Sequence, residues 1–421
     1  MTPSAKVTLL SLHYPPEPTG NAPYAGSLAV GLAKLGHTVQ AHVGHPHYPG
    51  WEVWDGYGQW TARESTDGVD LVRRRHYIPD PPRGVRRLIS EFSFGLRLLT
   101  ARIPRDSTVI ALSPSMFATA VAALRLFLTP NRPPVIVWVQ DIYTLGLAET
   151  GQGSHLAARI VRQVEAWTLR TADRVVAIHP RFADYLVDQL GVDREQVRVV
   201  RNWTHLTPRS ATSKRAARAA LGWDENARIV LHAGNMGAKQ GLENVVEAAR
   251  LAVERDEDIT FILVGDGNQR RALVEAAADV ERLNFVPPLD EDEFRFALAA
   301  ADVLLVNEKV GVSAMAVPSK LTSYFDAGRP VVAATDVDGI TASEVHLADA
   351  GVVVPAGSPS ALLDTLVALL SNNGELSRLG DNARAFRERA FNADEAIDEW
   401  SRMIVELQDA ANSRRRKGSR R

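Results

Sequence analysis

Short runs of aliphatic and β-branched residues alternate with stretches of helical period along almost the whole chain. In the first half the runs are Val7–Leu12, Val39–Val43, Val69–Arg73, Val109–Leu112, Val135–Val139, Arg174–Ile178 and Val197–Val200. Several are apolar at consecutive positions, which predicts strands buried on both faces. Leu28, Leu32 and Leu35 lie on one helical stripe that stops at Gly36, a residue favoured just past a helix end. The stretch 201–213, with Asn202, Pro208 and several Ser and Thr residues, has no sustained apolar period and reads as a linker. A second alternation follows, with strands expected at Ile229–Ala233, Thr260–Val264, Asn284–Val286, Val303–Val306, Val331–Ala334 and Val352–Val354. Helices are expected over Leu242–Leu251 and Glu293–Ala300, then near Ser360–Leu370, Glu375–Arg389 and Ala393–Ala410. Strands alternating with helices predict two successive α/β domains with parallel sheets, over 1–200 and 214–391.

Composition narrows the class. The 421 residues are 45% hydrophobic and 23% charged, which is ordinary for a globular protein and enough for two cores. The absence of cysteine excludes a disulfide framework and a thiolate zinc site. The formal net charge of −2 conceals an asymmetry. Arg414, Arg415, Arg416, Lys417, Arg420 and Arg421 crowd the segment 413–421, which reads as a disordered basic tail on an acidic body. Val7–Leu12 is too short for a signal peptide, and no run approaches membrane-spanning length. A cytoplasmic protein is expected.

The sharpest local feature runs from Leu231 to Leu242, between a strand and an amphipathic helix. Gly234, Gly237 and Gly241 permit tight turns and close approach of an anion, and the helix start adds free N–H groups. The helix dipole contributes roughly 0.3–1 kcal/mol, too little to activate a diphosphate leaving group, so a full cation is required. Lys239 stands where it could supply one. The G-x-x-G-x-x-x-G spacing matches neither the dinucleotide fingerprint nor the Walker sequence, and a surface turn explains the loop about as well. Val264-Gly265-Asp266-Gly267 closes the next strand and reads either as a glycine turn or as the rim of a ligand crevice.

Several segments in order resemble glycosyltransferase family 4, a retaining group of the GT-B fold. They are Tyr14-Pro15-Pro16-Glu17 with Gly20-Asn21, Leu35-Gly36-His37-Thr38-Val39, Trp138-Val139-Gln140-Asp141, Gly234-Asn235-Met236-Gly237 through Gly241, Val264-Gly265-Asp266-Gly267, Pro318-Ser319-Lys320-Leu321, and Ala327-Gly328-Arg329-Pro330-Val331-Val332. The likeness is greatest to the colanic-acid-type bacterial members that build extracellular polysaccharide. It implies two Rossmann-like domains facing each other across a cleft, with the last helix (392–412) crossing back to the first. It also implies transfer of a hexose from a nucleotide-diphosphate sugar to a sugar or lipid-linked acceptor, without metal or other cofactor. Gly20 and Asn21 would lie over the donor phosphates. Gly234, Asn235, Met236, Gly237 and Gly241 with Lys239 would face the diphosphate. Gly265, Asp266, Gly267 and Pro287 would border the base. Ser319, Lys320, Leu321 and Ser323 would open a helix under the phosphates and ribose, with Lys320 a second cation. Many family members carry arginine at Asn235 and lysine at Gln240. The family's paired glutamates fall near Met315 and at Ser323, leaving Glu308 as a substitute candidate. A retaining enzyme of this kind has no clear protein nucleophile, so its work is positioning and leaving-group stabilisation. Lys239 and Lys320 are the candidates for charge, and Asp141 for the polar group near the reacting sugar; a turn or capping role suits Asp141 almost equally.

Other features compete for a role. His13 ends the first strand. His42, His45 and His47 resemble a metal cluster but lack a carboxylate pair, and no metal is expected. Asp336-Val337-Asp338 reads as a loop. Trp51, Trp54, Tyr57 and Trp60 either stack on sugars, sit at a lipid interface or pack a long loop. Between Pro82 and Arg105, Arg83, Arg86, Arg87, Arg97, Arg102 and Arg105 are interleaved with apolar residues; the segment suits an anionic membrane surface or a helix packed on the sheet. No nucleic-acid recognition fold accompanies the basic tail. Two alternatives stay open: a nucleotide-sugar epimerase of the same fold, or a non-catalytic nucleotide-sugar-binding partner in polysaccharide assembly.

Overall fold

The computed structural model describes residues 4–18, 20–80, 84–113, 115–150, 155–203, 212–312 and 320–418. Ser319, Pro318, Met315, Pro82, Arg83, Arg420, Arg421 and the part of the linker from 204 to 211 lie outside them. The chain divides into two compact units, Met1–His205 with Ala393–Arg421, and Leu206–Asn392.

The first unit contains strands β1 (Lys6–Ser11), β2 (Thr38–Gly44), β3 (Thr61–Thr66), β4 (Val69–Arg74), β5 (Ser107–Ser113), β6 (Val135–Val139), β7 (Arg174–Ala177) and β8 (Val197–Val199). Its helices are α1 (Ala22–Lys34), α2 (Val85–Leu98), α3 (Met116–Phe127), α4 (Tyr143–Thr150), α5 (His155–Arg170) and α6 (Pro180–Asp188), followed at the end of the chain by Ala393–Gly418. Among the described residues the strands form one sheet in the order β3-β4-β2-β1-β5-β6-β7-β8. Its pairings are parallel apart from the antiparallel edge β3–β4. β3, Thr-Ala-Arg-Glu-Ser-Thr, escapes the hydrophobic pattern because it is an exposed edge with no face to bury.

The final helix docks on this unit through aromatic packing. Trp400 is fully buried with its ring centroid 5.0 Å from that of Trp138, which stacks on Trp203 at 5.8 Å. His37 Nε2 lies 2.7 Å from Ser401 Oγ. A Cβ at Gly31 would come within 2.4 Å of Ile397 Cδ1, so a glycine lets α1 and the last helix approach. The segment from 413, expected as a disordered basic tail, is helical as far as Gly418. The Arg415 guanidinium donates to the carbonyls of Arg105, Asn131 and Arg132, which explains why charge alone misreads this stretch.

The second unit runs α7 (Lys214–Leu221), β9 (Ile229–Ala233), α8 (Glu243–Glu254), β10 (Thr260–Val264), α9 (Arg270–Ala276), β11 (Leu283–Val286), α10 (Glu291–Ala300), β12 (Val303–Asn307), α11 (Lys320–Asp326), β13 (Val331–Thr335), α12 (Ile340–Ala348), β14 (Gly351–Pro355), α13 (Pro359–Leu370) and α14 (Asn373–Ala390). Its sheet, in the order β11-β10-β9-β12-β13-β14, is parallel throughout. Consecutive strand residues feed opposite cores. Val230, Phe261, Leu263 and Leu305 pack with Val245, Ala249 and Leu362, whereas Leu231, Ile262 and Leu304 pack with Tyr324, Phe325 and Phe386.

Both sheets reverse direction at one point. The second unit builds outward from β9 to β11, then returns to place β12 on the other side of β9; the first does the same between β1 and β5. Ligands of open α/β sheets bind beyond the strand C-termini at such switch points.

Trp400→Ala should lower stability by about 3–5 kcal/mol, the cost of emptying a buried indole site. Chemical denaturation followed by tryptophan fluorescence measures it, and a loss under 1 kcal/mol would mean that the last helix is not anchored through this ring.

Candidate functional site

The glycine loop lies at the switch point of the second unit. β9 ends at Ala233, and Gly234 follows with φ 140°, a conformation that side chains resist. The neighbouring Gly265, at φ 130°, approaches so closely that a Cβ on it would stand 2.1 Å from the Gly234 carbonyl oxygen. A Cβ at Gly267 would likewise lie 2.5 Å from the Met236 carbonyl carbon. Two segments read separately from sequence are thus one double turn. It is joined by Gly234 N–H to Val264 O (2.9 Å), Met236 N–H to Asp266 O (2.8 Å) and Gln269 N–H to Met236 O (3.0 Å). Met236 is buried beneath it, Asn235 and Asp266 are exposed, and Gly237 donates to Gln240 Oε1 at 3.1 Å.

Ala238–Gln240 forms one 3-10 turn ending at Gly241, whose φ is 53°. Asn307, the last residue of β12, fastens this turn: its Nδ2 donates to the carbonyls of Gln240 (2.7 Å) and Gly241 (2.8 Å), while its Oδ1 accepts from Asn244 Nδ2 at 2.8 Å. Neither asparagine is visible as a site residue in the sequence, because each looks like an ordinary strand-end or helix polar group. Lys239 is half-buried, and its carbonyl accepts from Lys309 N–H at 2.8 Å.

Lys320 opens α11 and reaches the same turn. A Cβ placed on Gly234 would lie in ordinary contact with Lys320, 3.6 Å from Cε and 3.7 Å from Nζ, so the ammonium sits beside the turn. Burial lowers its pKa from the ordinary 10.5 to about 8, with the Glu308 charge acting in the opposite direction. Glu308, the substitute carboxylate, follows β12 and is occupied: Thr341 donates to Oε1 at 2.7 Å and Thr335 donates to Oε2. Burial raises the Glu308 pKa despite those bonds. It acts on Lys320 from a fixed position. Leu321 and Ser323 are buried within α11, and Tyr324 Oη accepts from the Ala233 N–H at 2.8 Å, tying that helix to the end of β9. Pro287 is exposed just beyond β11.

In the first unit Gly20, at φ 70°, and the buried Asn21 precede α1 in the loop after β1, beside the other switch point. Asp141 is half-buried between β6 and α4. The preceding Gln140 exchanges hydrogen bonds of 3.1 and 2.7 Å with Asn202.

The suspected histidine trio does not converge. His42 Nε2 lies 3.4 Å from Arg102 O and His45 Nε2 lies 2.8 Å from Gln59 O. His47 instead meets His13 and Glu17, two residues from a different strand end. The loop aromatics divide as well. Trp51 packs on Tyr48 and His47, and Arg73 lies over Tyr57, but Trp60 is 68% exposed with the Arg97 guanidinium 3.8 Å above its ring.

Two α/β units with largely parallel sheets, one carrying a glycine double turn and a buried ammonium at its switch point, define the class of two-domain GT-B proteins. Residues 19–203 match the glycosyl transferase 4-like domain and 213–386 match the glycosyl transferases group 1. The chain belongs to glycosyltransferase family 4 and is a glycosyltransferase of the GT-B fold. It is 30% identical over 338 residues to a putative colanic acid biosynthesis glycosyl transferase of Escherichia coli, covering 77% of this chain and 81% of the relative. A probable glycosyltransferase of Pseudomonas aeruginosa is 25% identical over 77% of this chain and 80% of its own. Among solved structures, sucrose-phosphate synthase of Thermosynechococcus elongatus superposes with a TM-score of 0.74 at 19% identity, covering 96% of this chain and all (100%) of that one. Anabaena HepE in complex with UDP and glucose gives 0.68 at 17% identity, over 95% and 99%. These relatives and solved structures lend no support to the epimerase alternative.

Asn307→Leu removes the donors from two loop carbonyls, at about 1–3 kcal/mol for each group left buried and unpaired. The expected result is a higher KM for donor with a smaller change in melting temperature. A variant with unchanged donor KM would show that the loop holds its shape without Asn307.

Proposed function

We propose that the enzyme transfers a hexose, with retention, from a nucleotide-diphosphate sugar to a sugar or lipid-linked acceptor of extracellular polysaccharide. The observation that carries this reading is the Lys320 ammonium held against Gly234 at the switch point. An ammonium desolvated there gains most when a diphosphate arrives, and more as negative charge develops on the leaving group. The glycine turn supplies close access to the backbone. Lys239, on the same turn, is the second proposed cation. Asn235, Gly237 and Gly241 belong to the diphosphate contact, and Gly265, Asp266, Gly267 and Pro287 to the base. Leu321 and Ser323 lie on the ribose side, with Ser319 alongside them in sequence. From the first unit, Gly20 and Asn21 are assigned to the donor phosphates and Asp141 to the transferred sugar. UDP and glucose in HepE, and the colanic acid role of the Escherichia coli relative, support a nucleotide-sugar donor and a polysaccharide product.

The acceptor is proposed to be met at an anionic membrane surface. Along α2, Val85, Ile89, Phe92 and Leu96, with Leu99 just after it, form an apolar stripe at helical spacing that is 42–70% exposed. The opposite side of the helix buries Phe94 and Leu98. The helix packs on α3, which exposes Leu124 and Phe127, and α3 packs on α5, which exposes Leu156 and Ile160. Arg86, Arg87, Arg97, Arg102 and Arg105 accompany the stripe, and exposed Trp60 sits under Arg97. Apolar side chains with flanking cations suit the interface of an anionic bilayer. No helix among the described residues is long and apolar enough to cross one.

Lys320→Ala should lower kcat/KM about 10²–10³-fold, the usual loss when a charge-stabilising donor is removed. Intact kcat/KM in that variant would remove Lys320 from the reaction. The sign of the pH effect follows from the lowered pKa: raising pH through about 8 discharges the free enzyme's ammonium and raises donor KM, and Lys320→Arg should abolish that rise. Vesicles containing phosphatidylglycerol should sediment the wild type but not Ile89→Glu/Phe92→Glu, with binding falling as salt increases. Equal binding of the double variant would discard the α2 surface.

A further inference from the structure

We infer that the first unit binds one divalent transition-metal ion between His13, Glu17 and His47, at the C-terminal ends of β1 and β2. The ion is structural and separate from glycosyl transfer, so this inference stands or falls independently of the proposed reaction. Ligand atoms of the three residues lie within 4.8 Å of one another. Glu17 Oε2 is 2.8 Å from His13 Nδ1, and Glu17 Oε1 is 3.3 Å from His47 Nδ1. Two ligands on one zinc-like ion, each at about 2.0–2.2 Å, stand apart by a similar distance, so side-chain adjustment alone closes the site.

The second observation is a set of orphaned nitrogens. His47 is fully buried, and its Nε2 has no hydrogen-bond partner; His76, 9% exposed beyond the end of β4, leaves both ring nitrogens without one. The rings of His47 and His76 sit edge to face with centroids 5.0 Å apart. Each unpaired buried group costs about 1–3 kcal/mol, so a native cluster of them calls for an occupant. In the metal-free state His47 Nδ1 lies 2.8 Å from the His45 carbonyl, which fixes the proton on Nδ1. An ion at Nδ1 requires the other tautomer: the proton passes from Nδ1 to the otherwise unpartnered Nε2, on the ring that packs against His76. Arg73, the neighbouring cation, is paired with Glu64. The His13 side chain, 15% exposed, provides the way in and an open coordination position for water. Two imidazoles and one carboxylate select zinc-class ions over magnesium or calcium.

The test uses tag-free full-length protein stripped with a chelator and titrated with cobalt(II) alone. The expected result is one saturable equivalent with visible ligand-field bands of tetrahedral type, displaced by zinc, and a zinc-dependent rise in melting temperature. His13→Gln and Glu17→Gln should each weaken cobalt binding at least tenfold, while His42→Gln should bind as wild type does. Glu17 also anchors the N–H groups of His47 and Tyr48, so His13→Gln, at a partly exposed ring, carries the test if Glu17→Gln does not fold. Absence of stoichiometric binding, or unchanged affinity in His13→Gln, would overturn the site.

Discussion

Bare backbone at residues 234 and 265 lets two strand ends touch, and the switch-point edge of the second unit depends on that contact. Any side chain at Gly265 would collide with the Gly234 carbonyl. With both turns collapsed onto each other, the adjoining loop is pulled tight enough for Asn307 to clamp it from the next strand. The stem and ammonium of Lys320 lie beside Gly234, within van der Waals reach of that position. A charge placed there is held away from water before substrate arrives, which is the preorganisation that leaving-group stabilisation requires.

The α/β alternation was legible because it is written in hydrophobic period. In the second half the sequence boundaries of β9 and β10 coincide with the structure, since both are mostly apolar strands between polar turns. β3 was not legible, because a solvated edge strand carries no apolar signature. The glycine loop and its neighbour were each ambiguous alone, and their mutual approach is visible only in the fold. Lys239 stands out in sequence by sitting inside the loop, whereas Lys320, 81 positions further on, owes its place at Gly234 entirely to tertiary folding.

Histidines were misgrouped for a similar reason. His42, His45 and His47 are near one another in sequence, but alternation along β2 and the turn after it sends their rings to different partners. The carboxylate that gathers His47 comes from the loop after β1. The α2 segment shows the opposite failure. Its amphipathic pattern was plain, but which stripe faces the sheet is set by packing: Phe94 and Leu98 turn inward, leaving Phe92 and Leu96 outside.

The docking of the final helix on the first unit has a consequence for synthesis. During translation the second unit has all of its strands and helices as soon as residue 392 clears the ribosome, whereas the first still lacks Trp400, one of the two indoles packed on Trp138. The unit made first is therefore completed last. Its α1 flank stays uncovered for the whole time that nearly two hundred intervening residues are being made.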